Sequence, residues 1–222
     1  MWETLDRIDS PEDFIYDPSL VLYAPLHKKD GSSFMSDDAY GHLCTVTGAL
    51  WTSQGRDFDG IDDVINCGNN PVLALQYPFT IEYWLKIINR LATDASGNIV
   101  HKSYNFISRI SYGATLAETK GAFFRITPNS NFLTASYLPY PDWGHFTTTF
   151  DGENIRFFIN GQFDVAHAHT DQLATSTNEL QIGFFVANER FVGSIGEVRI
   201  YNQALTPLEI QRNYLASKWR YK

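Results

Sequence analysis

The 222-residue chain is poor in charge, in cysteine and in long apolar runs, and each shortage narrows what it can be. Charged residues make up 19% of it, below the roughly 25% usual for globular domains. Within that small set acids outnumber bases, 25 to 17, for a net charge of −8. No Lys/Arg stripe is present, and a chain of this sign is repelled by phosphate, so nucleic acid is excluded as a partner. The longest apolar runs, such as Phe157-Phe158-Ile159, are far too short to cross a bilayer, and no membrane insertion is expected. Only Cys44 and Cys67 are present, at a separation that fits neither a zinc spacing nor a redox CxxC pair. They are read as two buried thiols, with one disulfide as the alternative. A G-x-S-x-G elbow, an H-E-x-x-H motif and a phosphate loop are all missing, and Cys44 has no assignable histidine partner for thiol catalysis.

Aromatic rings are abundant: 16 Phe, 12 Tyr and 5 Trp. Such residues suit pleated, half-buried surfaces, so the composition leans toward strands. The clearest is FTIEYWLKII at 79–88, where Phe79, Ile81, Tyr83, Leu85 and Ile87 define a core side and Thr80, Glu82, Trp84 and Lys86 a wetter side. Asp151-Gly152 and Asn160-Gly161 suit positive backbone dihedrals and mark a three-strand antiparallel meander through 143–166. Shorter strands are expected at 20–24, 43–47, 56–67, 98–102, 105–110, 121–126, 132–137, 179–186 and 192–201, and 30–41 reads as a long loop. Thr206-Pro207-Leu208-Glu209 holds the ingredients of a capping box and predicts one helix over 207–217, packed across the sandwich or over its edge, with Leu208, Leu215 and Trp219 as an apolar stripe beside Ile210 and Tyr214. No repeat or linker divides the chain. The reading is one all-β domain at 19–222, preceded by an arm at 1–18 whose Trp2, Leu5, Ile8, Phe14 and Ile15 are fit to dock on the domain or on a neighbour.

Four segments carry a resemblance to a known family. Gly55-Arg56-Asp57-Phe58-Asp59-Gly60-Ile61-Asp62-Asp63-Val64 resembles the GxAFDGxxDYV segment of laminin-G-like, concanavalin A-like domains. Phe79–Lys86 is similar to their FTIExWVK strand, and Trp143 with His145 to the W-x-H before their DG…NG hairpin. FVGSIGEVRIYNQAL at 191–205 resembles their closing segment. The resemblance implies a two-sheet antiparallel jelly-roll sandwich of concanavalin A-like type with one short C-terminal helix.

Three places are candidate sites. Carboxylates brought together by a turn suit calcium, which takes six to eight oxygen ligands. Many relatives bind calcium near the sandwich edge, so the resemblance makes Asp59, Asp62 and Asp63 candidate Ca²⁺ ligands; Asx turns are the alternative. The family usually has Asp where Gly196 stands here, with Glu197 the only nearby substitute. In the second place, Tyr137, Tyr140 and Asp142 share a proline-rich loop that offers ring faces and a hydroxyl acceptor to a sugar, while Trp143 is read as a core anchor. In the third, His167 and His169 fall on one side of an extended segment between Asp164 and Asp171, with no third ligand specified; a surface loop is the expectation.

No catalytic residue is assigned. Glucanases of this fold carry an E-x-D-x-x-E strand that is missing here, and Glu82 and Glu197 each read as isolated in an apolar strand. The leading expectation is therefore a non-catalytic glycan-binding or adhesion module whose partner is carbohydrate. The alternative is a structural protein of a virion or surface assembly, making homo-oligomeric or larger contacts with other protein subunits through residues 1–18. Either function places the chain outside cells or on a virion surface, although MWETLDRIDSPEDF lacks the features of a classical signal peptide.

Overall fold

The computed structural model describes residues 17–87, 96–111, 121–126, 130–183 and 190–222. The arm expected at 1–18, apart from Asp17 and Pro18, lies outside the described residues, as do positions 184–186 of the strand expected at 179–186. In chain order the first eight strands are β1 (Leu20–Ala24), β2 (Ser33–Met35), β3 (Leu43–Thr47), β4 (Leu50–Thr52), β5 (Gly55–Asp59), β6 (Val64–Asn66), β7 (Phe79–Ile87) and β8 (Ser96–Lys102). The next eight are β9 (Phe106–Ser111), β10 (Ala122–Ile126), β11 (Ser130–Leu133), β12 (Gly144–Phe150), β13 (Asn154–Ile159), β14 (Gln162–Ala168), β15 (Leu180–Ile182) and β16 (Val192–Tyr201). One helix, α1 (Pro207–Ser217), follows.

The strands form two antiparallel sheets, ordered β14-β13-β12-β7-β16-β5-β4, with β1 on β16, and β11-β10-β9-β8-β15-β6-β3-β2. The expected meander is present: Asn160 and Gly161 take φ of 52° and 73° between β13 and β14, and Gly152 takes 98° between β12 and β13. The sheets face each other across rings. Phe79 of the first sheet meets Phe124 of the second at 5.7 Å, and the Tyr83 hydroxyl pairs with Ser108 across the layers at 3.0 Å. Within the first sheet Phe79 lies beside Phe150 at 5.7 Å and Tyr83 beside Phe146 at 5.2 Å. Each such ring contributes about 1.5–3 kcal/mol by leaving water. Cys44 and Cys67 are buried free thiols with sulfurs 3.1 Å apart.

Several expectations need correction. The strand at 79–88 has its core side as read, but Thr80, Glu82 and Trp84 on the other side are also buried, at 0–2% exposure. Helix α1 and the chain after it cover that face: the Trp84 indole donates to Ser217 at 2.9 Å and its ring stacks on Tyr221 at 4.4 Å. The stripe Leu208, Leu215 and Trp219 faces solvent, at 77, 49 and 53% exposure. The helix docks instead through Ile210, which packs with Leu20, Tyr23, Phe158 and Tyr201, through Tyr214 on Trp84, and through buried Asn213 and Ser217, which meet the polar groups of the sheet face. Its capping box forms as expected, with the Thr206 amide donating to Glu209 at 2.7 Å. The long loop at 30–41 contains β2, and the span 56–67 is two strands separated by a turn. The strand expected at 132–137 runs instead over Ser130–Leu133.

Candidate functional site

The turn between β5 and β6 gathers three carboxylates. Oxygens of Asp59, Asp62 and Asp63 lie within 4.8 Å of one another. They line a depression of about 310 Å³ together with Gly48, Leu50, Asp57 and Phe58. Asp59 accepts the Ile61 amide at 2.7 Å in an Asx turn, and Asp63 reaches back to accept the Asp59 amide at 2.8 Å. Burial, with help from the charges of Asp59 and Asp62, raises the Asp63 carboxyl above its ordinary range. The donors are of the hard-oxygen kind, but two of the three already serve the backbone, and calcium needs at least six. Glu197 does not supply the shortfall. It is 1% exposed and held by Arg199 beneath α1, and an added Cβ at neighbouring Gly196 would meet the Tyr221 ring at 2.2 Å. That contact accounts for glycine at position 196.

The loop before β12 presents Tyr137 and Tyr140, 61% and 37% exposed, beside exposed Asp142, while Leu138 and Trp143 point inward. It is held at several points. Asp164 accepts the amides of Ala135 and Ser136 at 2.6 and 3.0 Å, the Trp143 indole donates to Gln54 at 3.3 Å, and Pro139 packs over Gly144. Trp143 anchors the loop as expected, in a cluster with Trp84 and Tyr221 outside the main core. His167 and His169 lie on and just after edge strand β14, not in a free loop. Both rings face Phe132, at 5.7 and 5.0 Å, and His167 pairs with the Leu133 carbonyl at 2.8 Å.

Sequence reasoning missed a further place. On the outer face of the second sheet, Asn66, Gln181 and His101 sit side by side in register on β6, β15 and β8. His101, Ser103, Thr177, Asn178, Glu179 and Gln181 line an open depression of about 270 Å³ there. Glu179 accepts from the Asn66 amide at 2.5 Å, the Lys102 ammonium donates to the Asn178 carbonyl, and the Asn178 amide donates to the Ser103 carbonyl at 3.3 Å. Burial lowers the pKa of His101 to about 4, so its ring is neutral near pH 7. Next to Ser103 stands Tyr104, 72% exposed with φ of +64°. The residues come from three separate segments, and no motif in the sequence marks them.

Another cluster is wholly buried. Glu82 and Glu197, isolated in the sequence reading, are joined by Arg199, whose guanidinium meets Glu82 at 3.4 Å and also Glu197. All three are 1% exposed beneath α1. Glu82 accepts further bonds from Asn213 at 3.0 Å and Thr147 at 3.4 Å, and Glu197 from Tyr23 at 3.3 Å. Burial raises the Glu82 carboxyl even though Arg199 opposes the shift. Burial also works against the Arg199 charge, but Glu197, Tyr201 and Glu82 outweigh it and hold the guanidinium firmly protonated.

Comparison with known proteins fits this architecture. The family model described as the concanavalin A-like lectin/glucanases superfamily matches residues 59–211. Usherin of Mus musculus is 25% identical over 157 residues, which cover 65% of this chain and 3% of usherin. Domain 4 of AbnA, an extracellular arabinanase from Geobacillus stearothermophilus solved with arabinotriose, superposes with a TM-score of 0.66 at 19% identity, over 88% of this chain and 98% of that one. Trypanosoma rangeli sialidase gives 0.69 at 14% identity, over 91% of this chain and 34% of its own. The binding domain of Paraclostridial Mosquitocidal Protein 1 gives 0.68 at 13% identity, over 90% and 52%.

Proposed function

Because the chain belongs to the concanavalin A-like lectin/glucanases superfamily, we propose that it recognises carbohydrate without transforming it, as a binding or adhesion module working outside cells. One observation carries the reading: the strand carboxylates and the exposed rings are segregated. Glu82 and Glu197 are locked under α1 by Arg199, out of reach of a glycosidic bond, whereas Tyr137 and Tyr140 stand in solvent beside Asp142 on an anchored loop. A ring face with a nearby hydroxyl acceptor is what a pyranose or furanose requires, and an anchored loop loses little entropy on binding. The match to a domain solved with arabinotriose supports the ligand class, as does the match to a domain named for binding.

Isothermal titration against a panel of oligosaccharides is expected to show saturable binding. The double variant Tyr137→Ala/Tyr140→Ala should weaken it at least tenfold without lowering the melting temperature. A flat response across the panel, with and without added calcium, removes the reading.

The solvent-facing stripe of Leu208, Leu215 and Trp219 favours a second, compatible role, docking on a protein neighbour. Light scattering that shows a monomer at every concentration would remove self-association from that role.

A further inference from the structure

The depression between β8 and β15 lies at the opposite end of the sandwich from the Tyr137 loop. The Asn105 amide beside it donates to Leu75 at 3.0 Å and Ala174 at 2.7 Å, near the Phe79–Phe150 end of the first sheet. The Tyr137 loop is tied to the other end by the Thr134 amide on the Ala122 carbonyl, at 3.0 Å. Strands of this length, seven residues in β8, rise about 20 Å, so the two places are separate.

We propose that this depression binds one uncharged saccharide unit, with Tyr104 as the stacking ring and Gln181, Glu179 and Asn178 as hydroxyl partners. The proposal rests on the carbohydrate reading above and adds to it a second site and a ligand charge. A sugar presents an apolar C–H face and a rim of hydroxyls that donate and accept. Amides match that rim, because each offers donors and an acceptor, and a carboxylate adds strong acceptors. The volume of about 270 Å³ falls just under the roughly 300–1,000 Å³ of typical small-molecule sites, which suits a single ring whose chain continues into solvent.

Backbone geometry points the same way. Tyr104 holds a left-handed conformation that a bulky side chain rarely adopts and that Gly or Asn fills without strain. It is kept there by pinned neighbours: the Ser103 carbonyl accepts from both Ser176 and Asn178, and Asn105 is tied to Leu75 and Ala174. Strain of this kind collects at ligand-binding positions. The charge class follows from the lining. Glu179 is its acid, no Arg or Lys is among the lining residues, and the nearby Lys102 is 0% exposed, its ammonium donating to the Asn178 carbonyl and interacting with the Glu179 charge rather than standing in the depression. An anionic sugar would need a cation there and would meet Glu179 instead.

The test is NMR titration of the isotope-labelled chain with arabinose, galactose, mannose and glucose trisaccharides, and with sialyllactose as the anionic probe. Tyr104→Gly removes the ring and relieves the backbone, so its melting temperature should hold or rise. An uncharged probe is expected to shift the Tyr104 and Gln181 amides, and Tyr104→Gly and Gln181→Ala should each weaken that binding at least tenfold. If sugar binding persists in both variants and disappears in Tyr137→Ala/Tyr140→Ala, the proposal falls and the carbohydrate reading stands. Stronger shifts at Tyr104 with sialyllactose overturn the charge assignment. No shift with any probe overturns both.

Discussion

Replacing Arg199 by methionine is expected to lower the free energy of unfolding by about 3–5 kcal/mol, the cost of leaving the buried Glu82 carboxylate without its cation and Glu197 with Arg220 alone. Glu82 and Glu197 are each 1% exposed, and methionine fills much of the same space, so packing loss is a minor part of the effect. Arg220 still meets Glu197 at 3.5 Å, but Glu82 keeps only the neutral donors Asn213 and Thr147 among the described residues, and these do not balance a negative charge in a low-dielectric setting. Urea unfolding at pH 7 measures the change. The triple variant Glu82→Leu/Glu197→Leu/Arg199→Met should recover part of the loss, because the buried carboxylates go together with the buried guanidinium and Arg220, 12% exposed, keeps some contact with water. A loss below about 1 kcal/mol for Arg199→Met, within the range of exposed ion pairs, would mean that water reaches the cluster.

The second large effect is acid lability. Burial lowers His27 to about 4, with the Arg220 charge adding to it, lowers His101 to about 4, and holds His145 well below its usual value, with Arg199 adding to it. In the unfolded chain each titrates near 6.5. All three are therefore neutral in both states above that pH, and their full contribution to stability is present there. As pH falls from 6.5 toward 4, the unfolded chain takes up protons that the folded chain refuses. Each histidine then costs about 1.4 kcal/mol per pH unit, so the three together approach about 4 kcal/mol per unit. Glu82 acts in the opposite sense, since its raised carboxyl is protonated earlier in the folded state, and offsets part of the slope. Neither ring nitrogen of His145 has a hydrogen-bond partner among the described residues, and the ring packs on Trp84 at 5.2 Å. His145→Phe should therefore fold at pH 7 and flatten the acid slope by about a third. Urea midpoints at pH 7 and pH 5 decide it; an unchanged slope would mean that His145 is protonated in the fold.

How much of this was legible in the sequence depends on which surface is asked about. The interior was readable because its signal is periodic: the alternation of Phe79, Ile81, Tyr83 and Leu85 gives the core face, and Asn160-Gly161 gives the hairpin that orders the strands. The outer face of the same strand was misread, because alternation says which residues share a side and not what covers that side. Thr80, Glu82 and Trp84 look solvent-facing until Asn213, Ser217 and Tyr221 arrive from more than a hundred residues away.

The helix illustrates the same limit from its other partner. An apolar stripe stands out in the sequence, but the sheet beneath offers carboxylates and a guanidinium beside its apolar side chains, so the face carrying Ile210, Asn213 and Ser217 docks and the leucines are left outside. Among the sites, residues contiguous in sequence were found and residues assembled by register were not. Tyr137, Tyr140 and Asp142 lie within one loop, whereas Asn66, His101 and Gln181 become neighbours only through strand pairing.

The claim at the centre of this account is that the solvent-facing tyrosines hold a sugar that leaves unchanged. Following a mixture of the protein and a bound oligosaccharide by proton NMR over several days tests it directly. The expected record is line broadening of the sugar resonances that Tyr137→Ala/Tyr140→Ala or Tyr104→Gly reduces, with no new reducing-end signal. New anomeric peaks growing in proportion to protein, and absent when it is heat-inactivated, would contradict it.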